Sequence, residues 1–367
     1  MEKRQKSLQN RFHFINNDYT SQAFFFLSFT TATILGNYTR VGLSKLSNYG
    51  TSYVAPGSIL WSNLVACILM GMLQVLKKGG WFELEQISEM FVVLTTGYCG
   101  ALSSYSSMIL EMFLHSANLT PINVSNDIKL PNRAYGIMEF LSVLLVQLFV
   151  SVGSYIFGRS FAKTFILPLG YRMDMPEMMS ELQREPPVPQ LKIAWTYKTV
   201  RAVQWIFALL AIPLIALIIV LTCVYSNYSR SSWTLAQLFA IPAGFLRFFL
   251  AKLFNSKLKR FPLGTFIANV SAVATLAVFT MCLRGRSHSG SSTPIAGTVT
   301  QCQALSALSS GFSATLSTVS TFINEGYNLP LFDALVYYAV SISASYCVMV
   351  VMLGSLAWTR GLTSAAC

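Results

Sequence analysis

Two asparagines, Asn63 and Asn269, and two hydroxyl-rich runs carry what chemistry this chain offers, and all of them lie inside apolar stretches. Residues 97 to 111 read Gly-Tyr-Cys-Gly-Ala-Leu-Ser-Ser-Tyr-Ser-Ser-Met-Ile-Leu-Glu. Residues 311 to 325 read Gly-Phe-Ser-Ala-Thr-Leu-Ser-Thr-Val-Ser-Thr-Phe-Ile-Asn-Glu, identical at six of the fifteen positions. Amides and hydroxyls are neutral donors, able to replace hydration without fixing a positive charge that would trap an anion. Both copies sit in runs long enough to cross a bilayer, yet their density of Gly, Ser and Thr suits lipid contact poorly. A duplicated, polar, glycine-interrupted segment at membrane depth points to a solute pathway. A phosphate-binding loop, paired catalytic acids and a metal-binding His cluster are all missing from the sequence, so neither an enzyme nor an ATP-driven pump is implied.

The elements that must hold these residues are membrane helices. With 53% hydrophobic and 11% charged residues and a mean hydropathy of +0.53 over 367 residues, the chain reads as an all-α polytopic membrane protein. Nine spans are expected, at 22–39, 54–76, 90–112, 135–157, 205–225, 232–251, 262–283, 303–323 and 331–358, each near the ~20 residues that a crossing helix needs. Lys3, Arg4, Lys6 and Arg11 precede the first span, Lys77 and Lys78 follow the second, and Lys252, Lys257, Lys259 and Arg260 follow the sixth. These positions predict a cytosolic N-terminus and an extracellular C-terminus. The sequons at Asn118, Asn123 and Asn227 then fall outside, while Arg284 and Arg286 form one loop that breaks the charge rule. The net charge of +12 is thereby explained as topology signal rather than as a nucleic-acid surface. The seven cysteines lack C-x-x-C spacing and read mostly as small apolar residues within spans, with no metal or redox site.

The duplication extends beyond the hydroxyl runs. Arg40, Pro56 seven residues before Asn63, and the segment ending at Glu111 correspond to Arg247, Pro262 seven residues before Asn269, and the segment ending at Glu325. Four spans fall in each half, and the span 205–225 has no counterpart. Two four-span units joined directly would share one orientation, so one extra crossing inverts the second. The expected architecture is a tail (1–21), a first four-helix repeat (22–158), a cytosolic loop (159–204), a linking transmembrane helix (205–225) and a second, inverted four-helix repeat (226–367).

Gly-x-x-Arg at Gly244 to Arg247, Phe-Pro-Leu-Gly-Thr-Phe-Ile-Ala-Asn at Phe261 to Asn269, and the run from Gly311 to Phe322 resemble the CrcB/Fluc/FEX fluoride channel family. The whole layout, with its linking span, looks like the fungal fluoride export branch. The resemblance implies passive fluoride efflux and fluoride resistance at the plasma membrane, by a monomer whose halves replace the two antiparallel subunits of the bacterial relatives. It implies a pathway formed by Asn63 and Asn269, the hydroxyls of Ser106, Thr318, Ser320 and Thr321, a polar track of Tyr337, Ser341 and Ser345, and a box of two aromatic rings. The family's Phe-Ser-Thr-Phe becomes Tyr105-Ser106-Ser107-Met108 and Val319-Ser320-Thr321-Phe322. One box would therefore pair Tyr105 with Phe322 and the other Val319 with Met108. Aligning Gly153-x5-Arg159 with Gly354-x5-Arg360 puts Gly136, Phe140 and Leu144 opposite the polar track. One conducting pore and one vestigial pore follow. The resemblance further implies a central structural sodium ion held by backbone carbonyls at Gly100, Ser103, Ala314 and Ser317, with Ala314 departing from the family's glycine.

The chemistry is consistent with these types. A small anion moved into a low-dielectric core loses hydration worth tens of kcal/mol, on the order expected for an isolated ion, unless close donors replace it. Ring edges carry the positive part of the aromatic quadrupole and can face an anion. Plainer readings stand beside these. Ser and Thr in membrane helices often bond their own backbone, and the two asparagines can serve interhelical bonds. Arg40 and Arg247 can anchor at a membrane end or stand at a pore entrance. Glu111 and Glu325 can terminate helices, Glu139 can form a structural pair, and Tyr337 can sit in an interfacial belt. Two other functions compete: a coupled secondary transporter of another small solute, for which Glu139 is the one candidate proton carrier, and a membrane scaffold using the loop with Glu185-Pro-Pro-Val-Pro189.

Overall fold

The computed structural model describes residues 18–50, 52–82, 85–126, 131–132, 134–168, 194–224, 230–288 and 293–367. The basic tail before Asp18, the loop 169–193 with its proline run, and the Asn227 sequon lie outside the described residues. Among the described residues the regular structure is helical, and β pairing is confined to two isolated bridges, Gly285 with Leu362 and Arg286 with Pro294.

Among the described residues, six helices are long and apolar enough to cross a membrane: Leu60–Lys78, Ala134–Ile166, Tyr197–Val224, Ser231–Phe254, Leu263–Arg284 and Leu331–Thr359. The chain is a multi-pass membrane protein. Twelve elements carry the argument below. They are α1 (Asp18–Leu46), α2 (Leu60–Lys78), α3 (85–102), α4 (Tyr105–Ser116), the short α5 (Pro121–Ser125), α6 (Ala134–Phe161), α7 (Ala194–Val224), α8 (Ala236–Phe254), α9 (Leu263–Arg284), α10 (299–316), α11 (Val319–Asn328) and α12 (Leu331–Met349).

The other three expected spans differ in kind from the six. At 29 residues α1 is ~43 Å long, ample for a crossing, but it is rich in threonine. The hydroxyls of Thr30, Thr33 and Thr39 return to the carbonyls of Phe26, Phe29 and Leu35 at 2.8–2.9 Å, so a polar sequence still presents a closed backbone. Here the plainer reading of membrane hydroxyls holds. The stretches 90–112 and 303–323 are not continuous helices, because each is interrupted by two extended residues, Ser103–Ser104 and Ser317–Thr318.

Against α1 pack the linking helix α7 and the corresponding helix α8. Ser28 and Thr31 donate to the carbonyls of Gln204 and Phe207 at 3.3 and 2.7 Å. Phe25 and Phe29 meet Phe245 and Phe248 with ring centroids 4.8–5.8 Å apart. A second apolar cluster joins the halves around Tyr105, Phe113, Phe322 and Tyr337.

One reading of the cysteines needs correction. Cys67 and Cys99 are buried small side chains as expected, but Cys302 and Cys367 form a disulfide, with Cα atoms 5.9 Å apart across 65 residues of sequence. The pair forms because the chain end doubles back along the loop after α9. The Thr363 amide donates to the Arg284 carbonyl at 2.7 Å, and the Arg286 amide to that of Gly361 at 3.2 Å. Arg284 itself is largely buried and donates to the carbonyls of Thr363 and Leu119, at 3.4 and 3.1 Å. The arginine that breaks the charge rule is therefore a clasp between the C-terminal segment and the first half. Removing the disulfide by Cys302→Ser should lower unfolding stability by about 2–4 kcal/mol, the usual contribution of closing a loop of this length. Thermal unfolding with and without reductant checks this, and the parent protein under reductant should match the variant.

Candidate functional site

Each break exposes the N–H groups of the following helix and the carbonyls of the preceding one at a depth where water cannot satisfy them. On the N–H side the two asparagines act as clamps. Asn63 Oδ1 accepts from the Ser104 amide at 2.9 Å, and Asn269 Oδ1 accepts from the Thr318 amide at 2.8 Å. Ser104 and Thr318 then cap their own helices, each hydroxyl accepting at 3.3 Å from the amide three residues on, Ser107 or Thr321.

The remaining donors are capped by the opposite half. Ser103 Oγ accepts from the amides of Val319 and Ser320 at 3.2 Å, and Ser317 Oγ accepts from the Ser106 amide at 2.9 Å. In return Ser320 Oγ donates to the Cys99 carbonyl and Ser106 Oγ to the Ser313 carbonyl, both at 3.2 Å. The structure thus sets Ser103, Ser106, Ser317 and Ser320 in the crossing of the two broken helices, with the Ser106 and Ser320 hydroxyls directed at helix ends. Thr321 and Thr318 lie beside each other at 3.3 Å.

The carbonyl side belongs to the arginines, and their position is a correction. Arg40 and Arg247 do not reach out to water as snorkelling anchors would: they are 4% and 2% exposed. The cause is the set of helix C-termini that ends at the breaks, whose carbonyls attract cations. Arg40 donates to the carbonyls of Ala101 and Ser310, both at 2.5 Å, and to the Asn37 side chain. Arg247 donates to the carbonyls of Gly100 (2.7 Å), Thr315 (2.5 Å), Ser317 (3.3 Å) and Thr96. Each arginine serves both halves.

This arrangement bears on the expected sodium carbonyls. Of the four named residues, Gly100 and Ser317 already have their carbonyls turned to the Arg247 guanidinium, and the Ala314 carbonyl accepts from Ser317 Oγ at 3.3 Å. A cation drawing on the Gly100 and Ser317 carbonyls would be held against the like charge of the Arg247 guanidinium, so the residues present do not fit a sodium ion there.

Beside the crossing lies the aromatic and hydroxyl track. Tyr105 and Phe322, from opposite halves, meet edge to face at 5.2 Å, and Phe322 meets Tyr337 at 4.9 Å. Along α12 the buried side chains Tyr337, Ser341 and Ser345 recur one turn apart. The hydroxyls of Tyr105, Ser341 and Ser345 are buried and bond no protein group; Tyr105 and Ser345 face each other without reaching hydrogen-bond geometry. At one end of the track Tyr337 donates to Glu325 at 2.9 Å, and that carboxylate also accepts from Thr265 at 2.7 Å and Asn255 at 2.9 Å. Glu325 is thus a three-donor junction, a role beyond helix termination.

The counterpart in the first half has a different register from the one expected. Gly136, Phe140 and Leu144 are only half-buried, with Phe140 packed on the Tyr346 ring at 4.9 Å. The buried one-turn series on α6 is Gln147, Ser151 and Tyr155. Gln147 donates to Glu111 at 3.3 Å as Tyr337 does to Glu325, which fixes the correspondence three turns away from the Gly-x5-Arg alignment. Sequence reasoning missed these residues, although the spacing of four that marks Tyr337, Ser341 and Ser345 is also written in Gln147, Ser151 and Tyr155. Their polar groups are mostly occupied: Gln147 accepts from Asn63 at 3.4 Å, and Tyr155 donates to Asn324 at 2.7 Å beneath Arg159.

A cavity of about 840 Å³ opens between the halves, with Arg40, Ser107, Glu111 and Ala314 among its lining and Asn118, Asn123, His115 and Glu139 along one side. Glu139 is 45% exposed and 3.5 Å from His115, so it is a structural pair at a wetted wall rather than an acid buried in the bundle.

Comparison with known proteins adds the following. A family model described as "CrcB-like protein, Camphor Resistance (CrcB)" matches residues 27–158 and again 234–355. Fluoride export protein 1 of Saccharomyces cerevisiae is 48% identical over 364 residues, covering 93% of this chain and 95% of the relative. Fluoride export protein 1 of Candida albicans is 32% identical over 346 residues, covering 92% and 80%. A bacterial fluoride-specific ion channel FluC, from Salinibacter ruber, matches 80 residues at 38% identity, 22% of this chain and 57% of the relative. No solved structure matches.

Replacing either clamp by Asn63→Leu or Asn269→Leu should destabilise the protein by about 1–3 kcal/mol, because a buried amide at the break loses its acceptor. The corresponding aspartate variants retain an oxygen and should fall between parent and leucine variant in thermal unfolding.

Proposed function

The chain belongs to the CrcB-like family of fluoride channels, and from that premise we propose that it exports fluoride passively through one pathway, the track of Tyr105, Phe322, Tyr337, Ser341 and Ser345 beside Asn269. One observation carries the choice of track. The hydroxyls of Tyr105, Ser341 and Ser345 are buried without protein partners, and buried polar groups in folded proteins are otherwise nearly always satisfied. They are open donors beside a pair of ring edges, as a dehydrated anion requires. In the mirror series only the Ser151 hydroxyl is similarly open, while Gln147 and Tyr155 are engaged. Val319 and Met108 offer no ring there. That series is the vestigial pathway.

The wider architecture supports this reading. With α1 and the two broken segments added to the six long helices, the chain makes nine crossings in two inverted four-helix repeats around α7. The monomer then supplies both halves of the pathway, and fluoride needs no coupling. A negative-inside potential assists its exit by ~2.3 kcal/mol per 100 mV. The Cys302–Cys367 disulfide supports an extracellular C-terminus, since such bonds persist in oxidising compartments, and the plasma membrane is where export relieves the cell. Large apolar side chains exposed along α6 and α7 suit lipid contact. Glu139, the candidate proton carrier of a coupled transporter, is too exposed for that role.

Fluoride efflux from liposomes holding the purified protein tests the proposal, with chloride as control. The parent should release fluoride fast and retain chloride. Phe322→Ile should slow efflux by roughly an order of magnitude, the effect of losing ~1–1.5 kcal/mol of ring-edge stabilisation at the barrier, and Met108→Ile should leave it unchanged. Equal losses would mean two working pathways, and no efflux from folded parent protein would overturn the channel reading.

A further inference from the structure

Four carbonyls accept from one guanidinium at the centre of this protein, and two of them, Gly100 and Ser317, belong to the set on which a central sodium ion would depend. We propose that Arg247 supplies the fixed central positive charge of this chain and that no sodium ion is bound there. An Arg side chain carries its charge at any physiological pH and offers five donors in a planar fork. Carbonyl dipoles at helix C-termini are the partners that such a group needs when no carboxylate is near. Thr96 and Gly100 come from the first half and Thr315 and Ser317 from the second, so one side chain ties both broken helices, as a shared metal ion would.

The departure between the two copies explains why one arginine takes the central place. A Cβ built on Gly100 would lie 2.3 Å from Arg247 Nη2, so the guanidinium occupies the space that the missing side chain leaves. The corresponding residue in the second copy is Ala314, which carries a methyl group where Gly100 has none. Arg40 meets the Ala101 and Ser310 carbonyls, the repeat counterparts of the Thr315 and Thr96 carbonyls that Arg247 meets, together with the Thr315 hydroxyl, and is steadied by Asn37, which donates to Gln237 at 2.9 Å; what Arg247 adds is the Gly100 and Ser317 pair. Position 244, which corresponds to Asn37, is glycine, so Arg247 has no such brace and extends to the centre. The glycine and alanine at positions 100 and 314 thus select the arginine.

The proposal rests on the family placement for the idea of a central cation, but its test is independent of transport. Thermal unfolding of the purified full-length protein is followed as sodium is raised from none to hundreds of millimolar, with N-methylglucamine holding ionic strength. A bound structural ion would raise Tm progressively with its concentration. The expected result is a Tm that does not respond to sodium, and a progressive rise would overturn the proposal. In a second arm Gly100→Ala should lower Tm markedly, because its methyl group meets the guanidinium, while Ala314→Gly should not. Equal effects of the two would overturn the selection argument. Should Gly100→Ala fail to fold, the sodium titration of the parent still decides. A failed efflux experiment with a flat titration would remove the channel reading and leave this inference standing.

Discussion

Two helices are broken where no water can repair them, and the rest of the centre follows from that constraint. An interrupted helix leaves N–H groups on one side and carbonyls on the other, and in hydrocarbon each unmet group costs several kcal/mol, about the desolvation penalty of a peptide group. The N–H groups are met by Asn63 and Asn269, by the caps Ser104 and Thr318, and by the serines of the opposite half. The carbonyls are met by Arg40, Arg247, Ser106 and Ser320. Neither break could be completed by its own half. The duplication is therefore a mutual requirement, and it explains why the hydroxyl segments remain alike while other parts of the halves have diverged.

Satisfaction at the crossing also sorts the polar residues into two kinds. Those bonded to backbone hold the fold, and those left open beside the rings are the ones that the proposed pathway uses. Ser106 and Ser320 belong to the first kind although they share a motif with Tyr105 and Phe322, because alternate residues at a helix N-terminus point to different neighbours. Ser341 and Ser345 belong to the second kind because α12 presents them on its buried face with no hydrogen-bond partner for either hydroxyl. Residue type alone cannot separate these roles. The partner that each hydroxyl finds does.

Much of this was legible in the sequence, and the failures have identifiable causes. The repeated segments and the paired asparagines could be read because each is a local pattern present twice, while the Tyr105 with Phe322 pairing came only from the family resemblance. For Arg40 and Arg247 the choice between a membrane-end anchor, a pore entrance and a structural role stayed open, because a basic residue near the end of an apolar run ordinarily snorkels to water and nothing local announces that carbonyls from another segment will surround it. The α6 register was missed because the Gly-x5-Arg signature lies beyond the point where the two last helices correspond, and the contacts of Gln147 with Glu111 and Asn63 come from distant sequence. The Cys302–Cys367 bond was invisible for the same reason, since 65 residues separate partners that only the returning chain end brings together.

The asymmetry of the pathways can be traced to side chains alone. Tyr105 directly follows the residue whose amide Asn63 holds, and Phe322 stands one helical turn beyond the residue whose amide Asn269 holds. The clamps therefore set where both rings stand, and the crossing brings them to 5.2 Å. The same backbone, read the other way, puts Val319 directly after its clamp and Met108 a turn beyond the other, both buried in the same apolar cluster. The clamps and caps recur on both sides with the same backbone partners, each asparagine holding the amide of the residue that caps the following helix. On the proposed reading, a pathway loses its chemistry through Val319, Met108 and the occupied Gln147 and Tyr155 while the crossing that holds both sides is untouched. Two pathways in a homodimer must change together, whereas a fused chain can keep one set of open donors and let the other become packing, because the constraint that holds the fold lies in the backbone at the breaks and not in the walls of either track.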